Sequence, residues 1–525
     1  MENEHIRRRA QHAAAIVLIA AAALFASVAS SQARSTAPIP STVPSTAEIF
    51  STIQDLVSQG PRRPGTAAGE FAVSYVADKM RSYGLSDVHV ETSTTNAWKA
   101  TSSSLTYGGT PIDAFPAAFS NDPGGNAAGS FGTSGEGLSA PLVDVGDGAA
   151  SDYKGKDVKG KIVLFNLRFQ LPLAGLLPVM EYLYDPGLTM LNWKTLFTAN
   201  PYMTNYRTAL KNAQDNGAAG FVGVLADYFD SNKYFNEYYS RATNPQPGMW
   251  VTKKVGASIR AKLASSPAAK AVLSLQVDRR PAPAHSVMGI VPGQTNDTIL
   301  ITSHHDSVWQ GAVEDGSGTA EVLALAKHYA SLPTRSRKKT LMFMTDDSHF
   351  SGYQAHAAFI RRHVLQRDPL TDPQRLVAVV AIEHIGKAAS IDRNGNLVVS
   401  DQPEPRGIFE NLNSSLGSVV NDAVRENDLR RTAVLSSNLL QAVGGIPTDV
   451  CGLMIAGVPT VSLISGPMYM YDEQDTLDKV ATDQLRPVAN TFRNIVDDLD
   501  SANPDRIGYL PLSITEAIGR ALLSD

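Results

Sequence analysis

One cysteine, Cys451, stands in 525 residues, so no disulfide can close within the chain. In its apolar stretch it reads as a small core residue. Charged residues make up 18% and the net charge is −5, which leaves no basic field for nucleic acid and no strong field for steering ligands. No histidine follows His384. The Gly316-Ser317-Gly318 stretch lacks the G-x-S-x-G spacing of a nucleophile elbow, which sets a serine hydrolase aside. Apolar residues reach 43%, enough for large buried cores, and the length suits two to four domains.

The N-terminus reads apart from any fold. Arg7, Arg8 and Arg9 precede an uncharged run from Ala13 to Ala29, and the small residues around Ser27-Val28-Ala29 and Ser31-Gln32-Ala33 offer cleavage sites. This is the layout of a secretory signal peptide over residues 1–33. An uncleaved anchor is the rival, because the run is near the lower limit of about 17 residues for spanning a bilayer. Either reading puts the protein outside the cytoplasm, secreted or at the cell surface, with membrane attachment through residues 13–29 in the second. No cysteine lies near this segment, which excludes a lipoprotein. Residues 34–45 are rich in Pro, Ser and Thr and form a linker.

Helical spacing predicts helices over 47–58 and 66–83, the second stopped by Gly84, then a short strand at 88–90. Residues 100–137 are dense in Gly, Ser, Thr and Pro and suit turns and short strands. The apolar stretch 168–205 predicts a pair of packed helices, with a hydrophobic flap as the alternative. From Val287 onward, apolar strands alternate with helices: strands at 298–302, 340–344, 376–382 and 460–464, helices at 317–331, 352–363 and 485–499. The pattern predicts an α/β fold with a mostly parallel sheet flanked by helices.

Functional residues in such a sheet gather beyond the C-terminal strand ends. Those ends are polar here: Ser303-His304-His305-Asp306, Thr345-Asp346-Asp347 and Glu383-His384, with Glu314-Asp315 opening a helix between the first two. Carboxylates at one helix N-terminus are explained as caps. Acidic and His residues capping three core strands of one sheet point instead to a metal.

Two resemblances follow from these motifs. The series "ILITSHHDSV … GAVEDGSG … LMFMTDDSHFSG … VVAIEHIG … YDEQDTLDKV", with "GPRRPGT" near the N-terminus, resembles the co-catalytic di-zinc aminopeptidases over residues 46–125 and 283–500. The pair "GKIVL … AAGFVGV" and the later "PGMWVTKKVGASIRAKLAS" resemble an inserted, β-rich protease-associated domain over residues 126–282. Residues 501–525 are left as a C-terminal tail. The first resemblance implies that His304, Glu314, Asp347 and Glu383 hold metal, one or two zinc ions, with Asp306 supporting His304 and Asp346 as general base. Tyr471 occupies the position of the family's last histidine ligand. A phenol is a poor zinc ligand, but it can donate to a developing oxyanion.

Of the positions implied to touch metal or water, only His304 keeps the family's residue. Each carboxylate has been exchanged for the other length, and zinc–oxygen bonds tolerate only about ±0.2 Å. His305, His349 and His384 lie beside matched positions as substitute ligands; strand alternation predicts that His305 and His384 point away. The implied activity is hydrolysis of a peptide or aminoacyl amide. Its rivals are a catalytically inactive peptidase-fold scaffold and single-zinc acyl transfer of the cyclase type.

Overall fold

The structure, a computed structural model, describes residues 42–125, 127–235, 244–443 and 445–523. The expected signal or anchor at 1–33 and its membrane attachment lie outside the described residues. No helix among the described residues is long and apolar enough to cross a membrane.

The apolar runs become the centre of a mixed sheet. Asp297–His304 lies in parallel register between Thr340–Asp346 and Arg375–Ile382, and Thr460–Ser465 continues the parallel order beyond Arg375–Ile382. Alternate side chains on these strands enter two cores. Ile299, Ile301, Leu341, Phe343, Val380 and Ile382 face the helices Gly318–Ala330 and Thr482–Ser501. Leu300, Met342, Met344, Val379 and Ala381 face Phe359, Ile360 and Leu453. Coverage on both sides explains why the strands are continuously apolar rather than alternating. Burying each such side chain contributes about 1.5–3 kcal/mol. Thr46–Val57, closed by a capping box between Ser45 and Glu48, and Ala67–Ser82 pack on the first face.

Antiparallel strands extend the sheet at both ends. Arg406–Glu410 runs antiparallel to Thr460–Ser465 and parallel to Thr432–Ser436, with Met180–Tyr184 at the edge. On the other side, Lys270–Val291 runs antiparallel to Thr340–Asp346. This strand pairs almost end to end with Ser86–Tyr107. The strand expected at 88–90 therefore continues into the region expected to be turns, because Leu105 and Tyr107 bury their side chains against the same sheet. The division placed at residue 282 falls inside Lys270–Val291, which carries the chain without a break from the parallel unit of Ile162–Leu167, Gly220–Leu225 and Gly248–Thr252 into the central sheet.

The stretch 168–205 does not form two packed helices. It holds the antiparallel pair Phe169–Pro172 and Ala199–Thr204, the edge strand Met180–Tyr184, and the short helices Leu173–Leu176 and Trp193–Phe197. Pro172, Pro178, Pro186 and Pro201 interrupt every helical run. Leu188, Leu191, Trp193 and Phe197 are exposed. The expected C-terminal tail contains a helix, Leu512–Leu522, packed closely on Ala456 through Gly519. Cys451 is half-buried.

His363 ties the segment after Gln354–Ile360 to the long N-terminal strand. Its Nδ1 lies 2.8 Å from Asp372 and its Nε2 3.1 Å from Glu91. Burial opposes its charged form, but the two carboxylates outweigh this and raise it to about 9. A raised histidine contributes stability that is fully present below its ordinary pKa and lost as pH rises through the folded value. His363→Ala should therefore cost on the order of 2 kcal/mol at pH 6. The gap to the parent should shrink steadily toward pH 10 in thermal unfolding; a gap independent of pH would contradict the assignment.

Candidate metal centre

The C-terminal ends of the parallel strands bring the polar motifs into one buried cluster. His304 ends its strand, in register with Asp346 on the neighbour. Its Nδ1 meets Asp306 Oδ1 at 3.1 Å, which leaves Nε2 to face inward, 3.3 Å from Glu314 Oε1 and 3.7 Å from Asp449 Oδ2. A carboxylate behind an imidazole in this way fixes its tautomer and aims the other nitrogen.

Glu314 stands at the centre. His384 Nε2 approaches its Oε2 at 2.5 Å, and His349 Nε2 lies 3.7 Å from its Oε1. His349 stacks on His304 with ring centroids 4.1 Å apart, and its Nδ1 is 3.0 Å from Asp449 Oδ1. Glu383 Oε1 accepts from the backbone N–H of Asp449 at 3.3 Å. Each of these residues is buried except Asp449, whose side chain is 13% exposed.

Buried polar atoms are almost always hydrogen-bonded. Here Glu383 Oε2 and Asp449 Oδ2 have no hydrogen-bond partner among the described residues, and His304 Nε2, His384 Nε2 and both oxygens of Glu314 are left to charged contacts with one another rather than to well-directed hydrogen bonds. Donor atoms of His304, Glu314 and His349 lie within 4.8 Å of one another, a geometry that could hold a metal ion. Imidazole nitrogens and carboxylate oxygens converging in this way suit a borderline divalent cation.

The titration of these groups reflects the same crowding. Burial disfavours charge on His384, but Glu314, Asp315 and Glu383 raise it to about 10. Burial likewise opposes charge on His304, and Asp449, Asp306 and Glu314 together lift it well above the ordinary range. Glu314 and Asp449 are drawn down by these imidazoles despite burial. Glu383 goes the other way, pushed well up by burial and by Asp449.

The surrounding frame holds the cluster from behind. Arg62 is fully buried and donates to the carbonyl oxygens of His305 at 2.7 Å, Gln310 at 2.8 Å and Gly311 at 2.9 Å. Asp475 accepts from the N–H groups of Val313 and Glu314, each at 2.9 Å, and burial raises it to about 7. Asp315 accepts from the N–H groups of Gly318 at 2.9 Å and His384 at 3.1 Å, and from the Ser303 hydroxyl.

The residues singled out in the sequence divide in the structure. His304, Glu314 and Glu383 lie in the cluster, and Asp306 supports His304. Asp346 lies at its edge, with Oδ2 3.1 Å from His356 Nδ1 and its pKa raised by burial. Asp347 lies elsewhere: its oxygens meet the backbone N–H of His285 at 2.7 Å and His285 Nδ1 at 3.1 Å. Strand alternation accounts for this, since consecutive residues project to opposite faces. Burial raises Asp347 to about 7. Tyr471 is fully buried between Tyr234 and Phe350, with ring centroids 6.0 Å and 5.9 Å away. His305 turns to the Thr345 hydroxyl at 2.9 Å, as alternation predicts.

His384 departs from that prediction. Its φ is +57°, so a left-handed turn ends the strand and swings the imidazole into the cluster. His349 follows Ser348, itself left-handed at φ +69°. Asp449 was absent from the sequence reading altogether. It lies just before the short helix Cys451–Ile455, in a stretch whose only signal is the turn-forming Gly445, Pro447 and Thr448.

Residues 286–496 match the model of peptidase family M28. That is less than half of the chain, but it contains every residue of the cluster. Solved structures agree on the fold. A peptidase M28 precursor from Shewanella amazonensis SB2B superposes with a TM-score of 0.63 at 19% identity, covering 89% of this chain and 95% of that one. An aminopeptidase from Aneurinibacillus sp. strain AM-1 gives 0.59 at 20% identity, with 90% and 96% covered. A zinc aminopeptidase from Bacillus subtilis gives 0.57 at 18%, with 89% and 98% covered. In sequence, leucine aminopeptidase 1 of Ajellomyces dermatitidis is 33% identical over 99 residues, 17% of this chain. The alignment spans about a quarter of that relative, 24% of its length. The M28 fold thus supplies the scaffold on which the cluster is built.

Arg62 is the test of the frame. Arg62→Ala removes three donors from buried carbonyls and should cost about 3–5 kcal/mol in denaturant unfolding. A loss under about 1 kcal/mol would mean the loop from His305 to Gly311 is held by other contacts.

Proposed function

We propose that this chain is an exported, metal-dependent hydrolase of peptide or aminoacyl-amide bonds, aminopeptidase-like in its chemistry. The convergence of unpartnered, buried donor atoms on Glu314 carries this reading. The M28 match and the similarity to aminopeptidases support it. Export is supported by the basic start and apolar run of residues 7–29, and the inserted protease-associated unit by the motifs of 160–165 and 218–265.

The donor set fits zinc, with His304, Glu314 and His349 as the residues that would hold it and His384, Glu383 and Asp449 beside them. The chemistry such an ion supplies when bound is carbonyl polarisation and a lowered pKa for water. The residues of the chain do the rest. Asp306 holds His304 in the tautomer that presents Nε2. Asp346 is the proton acceptor: His356 engages its Oδ2, and Oδ1 is left to take a proton from water and return it to the leaving amine. Burial raises the Asp346 carboxyl, which makes it a stronger base. Burial also raises Tyr471 well above the ordinary phenol value, so it keeps its proton and is no anionic ligand.

Zinc content and hydrolysis of aminoacyl amides test this reading on the full chain. The parent should hold about one or two zinc ions and cleave; His304→Ala should lose both. A parent that takes up no zinc and cleaves nothing would leave the chain as a binding scaffold.

The geometry separates two aspartates that the motif alone does not. Asp449→Asn should weaken zinc binding by roughly 10–100-fold. Asp347→Asn, which touches His285 instead, should leave zinc affinity within about twofold. The reverse order would restore Asp347 to the ligand set.

A further inference from the structure

A cavity of about 930 Å³ lies beside the metal cluster, between the sheet edge, the 168–205 insert and the hairpin Lys387–Ile391/Leu397–Pro403. Its volume is in the range of small-molecule sites, roughly 300–1,000 Å³. The insert supplies apolar wall through Phe169, Leu176 and Tyr202; Phe229 and Met468 close other sides.

Two arginines line this space. Arg406 is 4% exposed and Arg431 7%, and in both the Nε has no hydrogen-bond partner among the described residues. Arg406 Nη2 donates to Gln484 Oε1 at 2.9 Å and to Arg430 O at 3.2 Å, both uncharged acceptors. No carboxylate among the described residues lies within ion-pair distance of either guanidinium. A buried guanidinium without a counter-charge is costly. Burial accordingly pushes Arg406 down to about 9.

The acids that line the cavity are engaged elsewhere. Asp227 pairs with Arg168 at 2.8 Å and Asp230 with Lys254 at 2.7 Å. Asp392 accepts from the N–H groups of Asn394 and Asn396, each at 2.8 Å. Of the acids lining the cavity, Glu404 faces the arginines, and burial raises it to about 7. Asp483, which acts on Arg406 from outside the cavity, is paired with Arg430, and Asp185 acts on Arg431 without ion-pair contact. The cavity therefore combines apolar walls with a cationic floor. Hydrated inorganic anions gain nothing from the walls. A carboxylate on an apolar body satisfies both, and the guanidinium fork matches its two oxygens.

We infer that this cavity is a binding site for an organic carboxylate, held by Arg406 and Arg431 with its apolar body against the insert. The site is distinct from the metal cluster but shares a wall with it. Arg406 stands opposite Ser465 in the sheet register. Ser465 lines the cavity, donates its hydroxyl to His384 O at 2.6 Å and offers its carbonyl to His384 Nδ1 at 2.7 Å. The inference does not depend on hydrolysis at the cluster.

Calorimetric titration of the full chain with N-acetyl-trialanine, its C-terminal amide and inorganic phosphate tests it. The blocked amine removes the ligand from aminopeptidase chemistry, so the outcome is independent of the proposed activity. The acid should bind at least tenfold more tightly than the amide, and phosphate should not compete at equal concentration. Arg406→Gln/Arg431→Gln should abolish the preference for the acid. Equal binding of acid and amide, or no binding of either, would overturn the site. So would phosphate binding that needs the same arginines, which would make it an inorganic-anion site. If the double variant does not unfold with the parent's cooperative transition, the acid–amide comparison on the parent chain decides alone.

Discussion

Burying carboxylates requires compensation, and at the head of the central sheet that requirement organises everything nearby. Glu314, Glu383 and Asp449 crowd against the imidazoles of His304, His349 and His384. Without a cation, protons supply the positive charge, which is why His304 and His384 are raised while Glu314 and Asp449 are lowered. A divalent cation would take the place of those protons, held by donor atoms of His304, Glu314 and His349. The frame of Arg62, Asp315 and Asp475 carries no direct role in such binding. It fixes the backbone of His305–Gly311 and of Glu314, so that the charged side chains cannot relax apart.

The fold was legible because its periodicity is simple. Continuous apolar strands such as Ile299–Ile301 alternate with helices, and that pattern needs a parallel sheet covered on both faces. The strand ends bring His304 and Glu383 near one another for the same reason, and Glu314 joins them from the segment Ala312–Ser317 that opens the next helix. Illegible stretches have equally physical causes. In the 168–205 insert, hydrophobic content suggested a pair of long helices; only two short ones form, Leu173–Leu176 and Trp193–Phe197, among strands and four prolines. The strand Ser86–Tyr107 draws its length from its long partner, Lys270–Val291, not from its own composition.

At the site, the expectation for Asp347 followed the motif against strand alternation, and the expectation for His384 failed where the backbone leaves regular geometry. Strand alternation sends His305 and Asp347 away from the cluster and so handles them well. It fails at His384 because a left-handed residue ends the strand, and no sequence rule marks a non-glycine φ of +57°. Asp449 is supplied by tertiary packing alone, from a turn far along the chain.

The altered carboxylate lengths make sense against these turns. Glu314 reaches His384 at 2.5 Å, and an Asp there would fall short by about 1.5 Å, one carbon–carbon bond. Tyr471, by contrast, packs among aromatic rings. The longer Glu314 and Glu383, the turned-in His384 and the added His349 and Asp449 therefore belong to one rearrangement. The converging donors come from the end of Asp297–His304, from Glu314 and His349, from His384 beyond Arg375–Ile382 and from the turn at Asp449. Such a set is a coherent ligand sphere of different shape, which decay of an unused site would not be expected to assemble.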